Sequence, residues 1–402
     1  MLLPIPRHSR RLLAIAILLT ILICWRLLRR FREPTVADAR AQYPRIAKYI
    51  EGAKGRGGAW HLPQSWTQDL NTPLDDVIAA AQLALNRSST LPHSNIPRII
   101  HQTWKDTQLE TWRPKYQAGV EKWLGVVEEE DIPYLFWDDA GVAQFMRVFE
   151  SDFEAEFYGL LNPVEQSDVF RVLVCKWIGG VYVDMDTEPL QTPTNWITST
   201  DLIPWADFKT NRLYHSTHAV NAIVGIEADT NPDTNTYWRM GYFFPIQLTQ
   251  WAFAFAPHHP ILQLFIDRLR KTTQHQAGHG LDRIDPVNLT GPIAFTDSVR
   301  TYLAQTADLR WNALTGLHDD GKTKLVEDVL VLPITGFSPG AARFSFRTMG
   351  SKPVTDPSAR LSHHAEGSWR HWSLRVELGK FCRTAFGLCR DWSKVPDEDS
   401  WL

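Results

Sequence analysis

The chain has 402 residues, 44% hydrophobic and 22% charged, which is enough to bury the core of one large domain or two small ones. A net charge of −3 and the lack of a basic tract beyond the N-terminus argue against nucleic-acid binding. The four cysteines lack zinc-finger spacing, which argues against a structural zinc site. Cys382 and Cys389 are either a disulfide formed in an oxidising compartment or two free thiols.

An uncharged apolar run, LLAIAILLTILICW, begins at Leu12 and has arginines on both sides. A cleaved signal peptide would place small residues directly after its apolar core, and here Trp, Arg and Leu end and follow the run. We therefore expect a cytoplasmic tail at residues 1–11 and an uncleaved signal-anchor transmembrane helix at residues 12–28. The flanking arginines are nearly balanced and do not fix the orientation, but sequons at Asn86 and Asn288 suit a lumenal body.

The next segment, residues 29–95, has the composition of a stem. It is polar, with scattered prolines and a glycine-rich stretch at Glu51–Gly58. Short helices are expected around Arg40–Ile50 and Leu74–Leu85. This segment would separate the membrane anchor from a folded body.

From Ile96 onward, apolar strand patterns alternate with helical ones. Asp138 is a good N-cap for one helix, and Pro163 stands at the start of another that Gly179 and Gly180 would end. Strands separated by helices predict an α/β fold with a mainly parallel central sheet. In such sheets, ligands bind at the carboxyl ends of the strands.

The apolar strand Val181–Val183 leads directly into Asp184-Met185-Asp186. Because side chains alternate along an extended chain, Asp184 and Asp186 would lie on the same side. Two carboxylates at the ligand edge of a sheet suit Mg²⁺ or Mn²⁺ that holds a diphosphate. The order of helix, Gly-Gly, apolar strand and DXD makes this motif more informative than an isolated DXD.

Two other clusters combine histidine with an aromatic side chain. HHAEGSW, His363–Trp369, would supply an imidazole, which suits Mn²⁺ better than Mg²⁺. IIHQTW places His101 and Trp104 at the end of a first strand, where they could hold a nucleotide base. Taken alone, the first cluster is equally explained by a surface or core histidine pair, and the second by packing.

A third pattern is an ionic pair within an apolar helix. Asp168 and Arg171 are three residues apart and therefore share a helix face, while their neighbours are apolar almost all round. Buried charges must be paired or bound to a ligand. Two interpretations remain open: an internal ion pair, or two side chains that face a sugar donor.

These clusters belong to longer segments that resemble glycosyltransferase family 32 and, within it, the fungal initiation-specific α-1,6-mannosyltransferases of the Golgi. The matching segments in chain order are IPRIIHQTWKD (96–106), SDVFRVLVCKWIGGVYVDMD (167–186), GIEAD (225–229), LTQWAFAFAPHHPIL (248–262), LTGPIAFTD (289–297) and GSKPVTDPSARLSHHAEGSW (350–369). The resemblance implies a GT-A-type nucleotide-sugar-binding fold in a catalytic domain at residues 96–375, followed by a C-terminal tail at residues 376–402.

The resemblance also implies a retaining mannosyltransferase with GDP-mannose as donor, Mn²⁺ (or Mg²⁺) as cofactor and an N-glycan of a glycoprotein as acceptor. It implies a Golgi membrane protein of type II that works in a complex with other mannosyltransferases.

By position, the expected metal ligands are Asp184, Asp186 and His364, the histidine of an HxxG pattern. The donor-binding candidates are His101, Gln102, Trp104, Asp168, Arg171, Gly180 and Tyr182. The acceptor-binding candidates are Gln250, Trp251, Thr290, Gly291, Pro292 and Trp369. Glu227 and Asp229 join the DXD aspartates as catalytic candidates, although structural roles at a strand end explain them equally well.

Three alternatives remain. A family relative could use another sugar donor or a sphingolipid acceptor. A glycan-binding subunit without catalysis would need a damaged metal site, whereas both aspartates and the histidine are present. A metal-dependent phosphohydrolase would need a second acidic cluster for a two-metal clamp, and the sequence shows none.

Overall fold

The computed structural model describes residues 17–22, 24, 36–50, 53, 55–68, 73–234, 237–275, 285–340, 349–365 and 374–389. The strands are β1 Gly58–His61, β2 Ile100–Thr103, β3 Tyr134–Trp137, β4 Gly180–Val183, β5 Thr187–Pro189, β6 Trp205–Ala206, β7 Leu213–Tyr214, β8 Ala222–Asp229, β9 Ile246–Phe255, β10 Lys324–Val326, β11 Val329–Leu332 and β12 Leu361–His363. The α-helices are α1 Val36–Gln42, α2 Pro44–Tyr49, α3 Gln64–Thr67, α4 Val77–Arg87, α5 Pro114–Glu130, α6 Asp139–Phe149, α7 Glu154–Tyr158, α8 Pro163–Trp177, α9 Pro260–His275, α10 Pro286–Leu289, α11 Pro292–Ala307, α12 Ile334–Phe337 and α13 Leu374–Phe386.

The main sheet has eight strands in the order β1-β3-β2-β4-β9-β8-β11-β10. The strands β3, β2, β4, β8 and β11 run in one direction, whereas β1, β9 and β10 run in the other. The predicted α/β fold with mainly parallel central strands is confirmed. β9 lies antiparallel in the middle of the sheet, and the described part of its connection from β8, residues 230–234 and 237–245, contains no α-helix that could carry the chain back for a parallel return. Two small sheets, β12-β5 and β6-β7, flank the large one.

The helix ends follow the signals in the sequence. The carboxylate of Asp138 accepts a hydrogen bond from Gly141 N at 2.9 Å and caps α6. Pro163 occupies the first turn of α8, after an Asn162 cap. Gly179 follows the C-cap of this helix with φ of 72°, in the left-handed region that glycine adopts without a steric cost. These signals direct the chain from α8 into β4 within three residues.

The core lies on both faces of the sheet, as side-chain alternation requires. On one face, Tyr182 and Phe253 pack with residues of α4, α6, α8, α9 and α11. On the other face, Val181 and Val183 pack with residues of α2, α5 and α12. Each fully buried large apolar side chain contributes about 1.5–3 kcal/mol, so the sheet that carries the DXD motif is firmly held.

The segment expected to be a stem is in part packed onto this body. β1 pairs with β3 at the sheet edge, and Ile46 and Ile50 are fully buried. Arg45 forms ion pairs with Glu121 at 3.3 Å and Glu128 at 2.7 Å on α5. The helices expected in this region are present as α1, α2 and α4, so the described body begins well before residue 96.

The predicted anchor at residues 12–28 lies mostly outside the described residues. Within it, residues 17–22 and 24 are helical. No helix in the described part of the chain combines the length and the apolar character needed to cross a bilayer. At the other end of the chain, Cys382 of α13 and Cys389 form a disulfide, which settles the choice left open above.

Candidate active site

The DXD motif forms a turn at the carboxyl end of β4, and several groups fix its backbone. Asp184 N donates to Trp251 O on the neighbouring strand at 2.8 Å. Asp184 O accepts from Thr187 Oγ1 at 2.6 Å and from Gln102 Nε2 at 3.2 Å. The turn is therefore tied to both strands that flank β4 and to the residue that follows the motif.

Asp184, Asp186 and His363 form a group whose potential ligand atoms all lie within 4.8 Å of one another. His363 ends β12, which pairs with β5 directly after the DXD turn, and its ring stacks on Trp251 with centroids 4.2 Å apart. His363 Nε2 is 3.3 Å from Asp186 Oδ1. Two carboxylates and one imidazole are a donor set that fits Mn²⁺.

The expected histidine differs from the one found in this group. His364 lies beside Glu188, with Nε2 at 3.1 Å from Oε1, while His363 faces the two aspartates. Consecutive residues of an extended chain point to opposite sides, so only one of the two can face the DXD turn. In this group His363 stands where the HxxG spacing had placed His364.

Arg171 of α8 bridges two carboxylates at the site. Its Nη2 atom is 3.2 Å from Asp168 Oδ1 and 3.4 Å from Asp184 Oδ1. Its Nη1 atom donates to Gln250 O at 3.1 Å, and Tyr182 OH donates to Asp184 Oδ1 at 2.9 Å. The internal ion pair is therefore present and it reaches the DXD motif, while the idea that both side chains face a sugar donor stays a prediction.

Burial governs the electrostatics of these groups. It raises the pKa of Asp168 to about 6, against the opposing effect of Arg171. It also raises the pKa of Asp184, with a further contribution from the charge of Asp186. Burial alone would lower the pKa of Arg171, but the surrounding carboxylates outweigh it and hold the pKa above the ordinary value. Two carboxylates contact the single guanidinium and Asp186 adds a third beside Asp184, an excess of negative charge that a divalent cation would neutralise.

The three candidates in the first-strand cluster, His101, Gln102 and Trp104, have different surroundings. His101 is fully buried, with Nε2 at 2.8 Å from Gly179 O and Nδ1 accepting from Trp137 Nε1 at 3.3 Å. Burial lowers its pKa to about 4, so it is a neutral core histidine and not the donor ligand that we expected. Gln102 accepts from Tyr134 OH at 2.8 Å and holds the DXD backbone instead of a nucleotide.

Trp104 remains a candidate for donor binding. It is half-buried and packs edge-to-face on Tyr116 with ring centroids 4.8 Å apart. Its indole Nε1 is buried and has no hydrogen-bond partner among the described residues. A buried indole N–H normally finds a partner, so a bound ligand is a reasonable acceptor for it.

The two acidic candidates of β8 lie outside the Asp–Asp–His group. Glu227 Oε2 accepts from Gln247 Nε2 at 2.9 Å. Asp229 is buried and accepts from Thr315 Oγ1 at 2.7 Å and from Gly316 N at 2.6 Å. Asp229 thus fastens a loop to the end of the sheet, which corrects the expectation that it faces the donor sugar.

Most of the acceptor-binding candidates hold other residues of the site in place through hydrogen bonds and packing. Gln250 Nε2 donates to Thr290 O at 2.8 Å, and Thr290 Oγ1 donates to Asp168 Oδ2 at 3.1 Å. Gly291 and Pro292 form the start of α11. Gln250 Oε1 is buried without a hydrogen-bond partner in the described part of the chain. Trp251 positions His363, Gly180 begins β4, and Trp369 lies outside the described residues.

Sequence reasoning missed the contribution of α5 to the DXD turn. A Cβ atom on Gly119 would lie 2.5 Å from Met185 O and 2.6 Å from Thr187 O, so only glycine allows this approach. Trp123, one helical turn further on, donates from Nε1 to Thr187 Oγ1 at 3.0 Å. The signal was a glycine in the interior of a helix, where it costs stability unless packing requires it.

Several mannosyltransferases are similar in sequence to parts of this chain. The initiation-specific alpha-1,6-mannosyltransferase of Schizosaccharomyces pombe is 32% identical over 69% of this chain and 65% of its own length. The protein of the same name from Candida albicans is 32% identical over 52% of this chain and 54% of its own length. The inositol phosphoceramide mannosyltransferase 3 of S. pombe is 28% identical over 26% of this chain and 30% of its own length. The chain therefore spans less than two thirds of each of these relatives.

Residues 98–203 match the family described as the glycosyltransferase sugar-binding region containing a DXD motif. That range includes β2, α8, β4 and the turn with Asp184 and Asp186. The family resemblance found in the sequence is confirmed by this match and by the similarity to the named mannosyltransferases.

Proposed function

We propose that this chain is a metal-dependent, retaining mannosyltransferase that transfers mannose from GDP-mannose to the core of an N-glycan through an α-1,6 linkage. The observation that carries the proposal is the grouping of Asp184 and Asp186, which belong to the sugar-binding segment, with His363 from outside it, at the carboxyl end of β4. Mannose and the linkage come from the names of the S. pombe and C. albicans relatives.

Asp184, Asp186 and His363 are the residues that would hold Mn²⁺ (or Mg²⁺). When bound, the cation would neutralise negative charge on the leaving nucleoside diphosphate. Arg171 holds Asp184 in place and keeps one positive charge beside the reacting sugar. Asp168 receives one hydrogen bond from Thr290 and one ionic contact from Arg171, which fix its orientation, and it would accept hydrogen bonds from hydroxyls of the donor sugar.

Retention of the anomeric configuration needs either a carboxylate nucleophile or attack on the same face of the sugar. Both carboxylate oxygens of Asp229 are used to hold the loop at Thr315 and Gly316, so this residue does not supply the nucleophile. In same-face attack, the acceptor hydroxyl forms the new bond to the sugar, the bond to the diphosphate breaks, and the departing phosphate oxygen takes the proton. We favour this route.

The same proposal includes a place in the cell. The apolar run at residues 12–28 and the sequons support a single-pass type II protein of the Golgi membrane, with a lumenal catalytic domain. Asn86 is exposed and so open to glycosylation. An N-terminal tag should remain on the mature protein and be digested by protease added to intact vesicles. A tag that is cleaved off or protected would contradict this topology.

The reaction is tested with the purified full-length chain, a panel of nucleotide sugars, and two acceptors, a mannose-rich N-glycan and inositol phosphoceramide. GDP-mannose with the N-glycan should give a metal-dependent product, and linkage analysis should show α-1,6. Asp186→Asn should lower transfer by at least about 100-fold, because it removes a negatively charged ligand. Asp308→Asn is the matched control, since Asp308 is exposed and has a left-handed backbone that asparagine tolerates. Normal transfer by Asp186→Asn, or transfer to the sphingolipid alone, would overturn the proposal.

A further inference from the structure

A cleft with an exposed aromatic wall lies between the β6–β7 hairpin and the loop at residues 315–321. The cleft is open to solvent. Phe208, in the turn of the hairpin, is 65% exposed. Its ring is nevertheless stacked on His318, with centroids 4.1 Å apart and planes inclined by 18°. One face of this large aromatic ring is therefore covered by His318, while most of the side chain stays accessible to solvent.

The hairpin that carries Phe208 is held rigid by a buried carboxylate. The side chain of Asp207 is 1% exposed and accepts hydrogen bonds from Lys209 N at 2.9 Å, Thr210 Oγ1 at 2.8 Å and Arg310 Nε at 2.8 Å. The Arg310 guanidinium holds the pKa of this carboxyl far below its usual range. The carboxylate therefore stays ionised near neutral pH, and its hydrogen bonds hold the turn in place.

The opposite wall is fixed to the sheet. Asp229, at the carboxyl end of β8, binds Thr315 and Gly316 at the start of the loop. Lys324 binds Asp319 at 2.6 Å further along it. Since both walls are held before any ligand arrives, binding here would require little ordering of the protein.

The cleft shares an edge of the sheet with the DXD motif. β8 is parallel to β4, and only β9 separates them. Tyr182 and Val224 both face Phe253 in the register, and Asp229 lies five residues beyond Val224. Strand spacings place Asp229 on the order of 15 Å from Asp184, on the side of β4 away from β2 and β3. A ligand that extends from the DXD motif along this edge would reach the cleft.

The lining of the cleft has the chemistry that recognises sugars. Beside the aromatic ring, it contains an ammonium, a carboxylate and an amide, from Lys209, Asp233 and Asn312. A pyranose has an apolar C–H face that stacks on an aromatic ring and a rim of hydroxyls that both donate and accept hydrogen bonds. The mixed charges of the lining suit a neutral polar ligand better than an anion or a lipid chain.

We propose that this cleft, with Phe208 as its platform, binds a sugar of the glycan acceptor at a distance from the reacting hydroxyl. The inference rests on the proposed function, since it assumes that the acceptor is a glycan. It assigns Phe208 to acceptor specificity and makes Asp207 and Asp229 the residues that position the two walls.

The test measures binding of a mannose-rich N-glycan to the full-length chain by calorimetry, in parallel with the kinetics of transfer. Phe208→Ala should raise the Kd and KM for the glycan about tenfold, and Phe208→Trp should retain binding. The Kd values for GDP-mannose and Mn²⁺ should stay as in the wild type. Leu213→Ala is the matched control, because Leu213 lies on the same hairpin and is 66% exposed but does not line the cleft.

Three results would overturn the inference: glycan binding by Phe208→Ala at the wild-type level, an equal loss in Leu213→Ala, or a loss of GDP-mannose binding in Phe208→Ala. The third result would assign the platform to the nucleotide. Failure of the inference and failure of the proposed function are distinguishable. If glycan binding depends on Phe208 but GDP-mannose gives no transfer, only the assigned reaction is wrong. If transfer occurs but is insensitive to Phe208, only the cleft assignment is wrong.

Discussion

Replacing each of the two adjacent histidines with alanine, one at a time, should show which of them binds the metal. His363 lies in the group with Asp184 and Asp186, whereas His364 contacts Glu188. His363→Ala removes one of three protein ligands. His364→Ala removes only a contact to a carboxylate that also pairs with a lysine of α5.

The expected difference between the two variants is large. Loss of a residue that merely supports a metal ligand costs about 10–100-fold in metal affinity, so loss of a ligand should cost at least about 100-fold, or roughly 2.7 kcal/mol. His363→Ala also uncovers the ring of Trp251, which now stacks on the imidazole. For His364→Ala we expect a change of less than about threefold, since His364 lies outside the Asp–Asp–His group and a partly exposed contact of this kind contributes about 0–1 kcal/mol.

Manganese binding is measured directly, from the electron paramagnetic resonance of free Mn²⁺ during titration of each variant. The Mn²⁺ concentration that gives half-maximal transfer provides a second measurement. Melting curves in the presence of a chelator provide the control, because both variants should melt within a few degrees of the wild type without metal. Equal titration curves for the two variants, or the larger loss in His364→Ala, would refute the assignment of His363.

Three further outcomes are expected. Gly119→Ala should destabilise the protein by about 1–3 kcal/mol and lower turnover, because the new Cβ displaces the DXD turn. Gly125→Ala on the same helix is the control and should change neither property, because its Cβ meets only Arg45 side-chain atoms at 3.6 Å or more. Melting curves and transfer kinetics of the two variants test this. Arg171→Met should cost about 3–5 kcal/mol in denaturant titrations by leaving buried carboxylates unpaired, while Arg300→Met, which breaks an exposed pair of the same spacing at 2.8 Å, should cost less than about 1 kcal/mol. Burial raises the pKa of Asp229 to about 6, so its contribution to stability is present below about pH 4 and lost as pH rises through 6. The melting temperature of the wild type relative to Asp229→Asn should therefore fall from pH 4.5 to pH 7.5, and parallel profiles would contradict this.

The sequence predicted the parts of the fold that depend on local signals. The cap at Asp138, the proline at the start of α8 and the glycine pair after it are all present, and together they place the DXD motif at the end of a buried strand. The strand β1 was missed because Gly58–His61 is short and lies at the end of a glycine-rich stretch. It is held by pairing with β3, and such pairing between distant segments leaves no trace in local composition.

The candidate site was predicted less completely, because polar residues in a core look the same in the sequence as polar residues in a site. His101 is satisfied by Trp137 and by Gly179 O, the latter 78 residues away in the chain. Asp229 is satisfied by Thr315 and Gly316, which also lie far along the chain. A family motif identifies which residues are retained near a site, but only the partners distinguish a ligand from a support.

Arg171 shows why the choice between a structural ion pair and a functional residue was too simple. A pair with Asp168 alone would be neutral, and a well-packed apolar pair could replace it at little cost to stability. The contact with Asp184 changes this balance, because the buried guanidinium now serves two carboxylates while Asp186 adds a third charge close by. Such a cluster is poorly balanced for stability but well suited to attract a divalent cation and then a diphosphate. The excess of carboxylates around Arg171 is therefore better explained by what the site must bind than by what the fold requires.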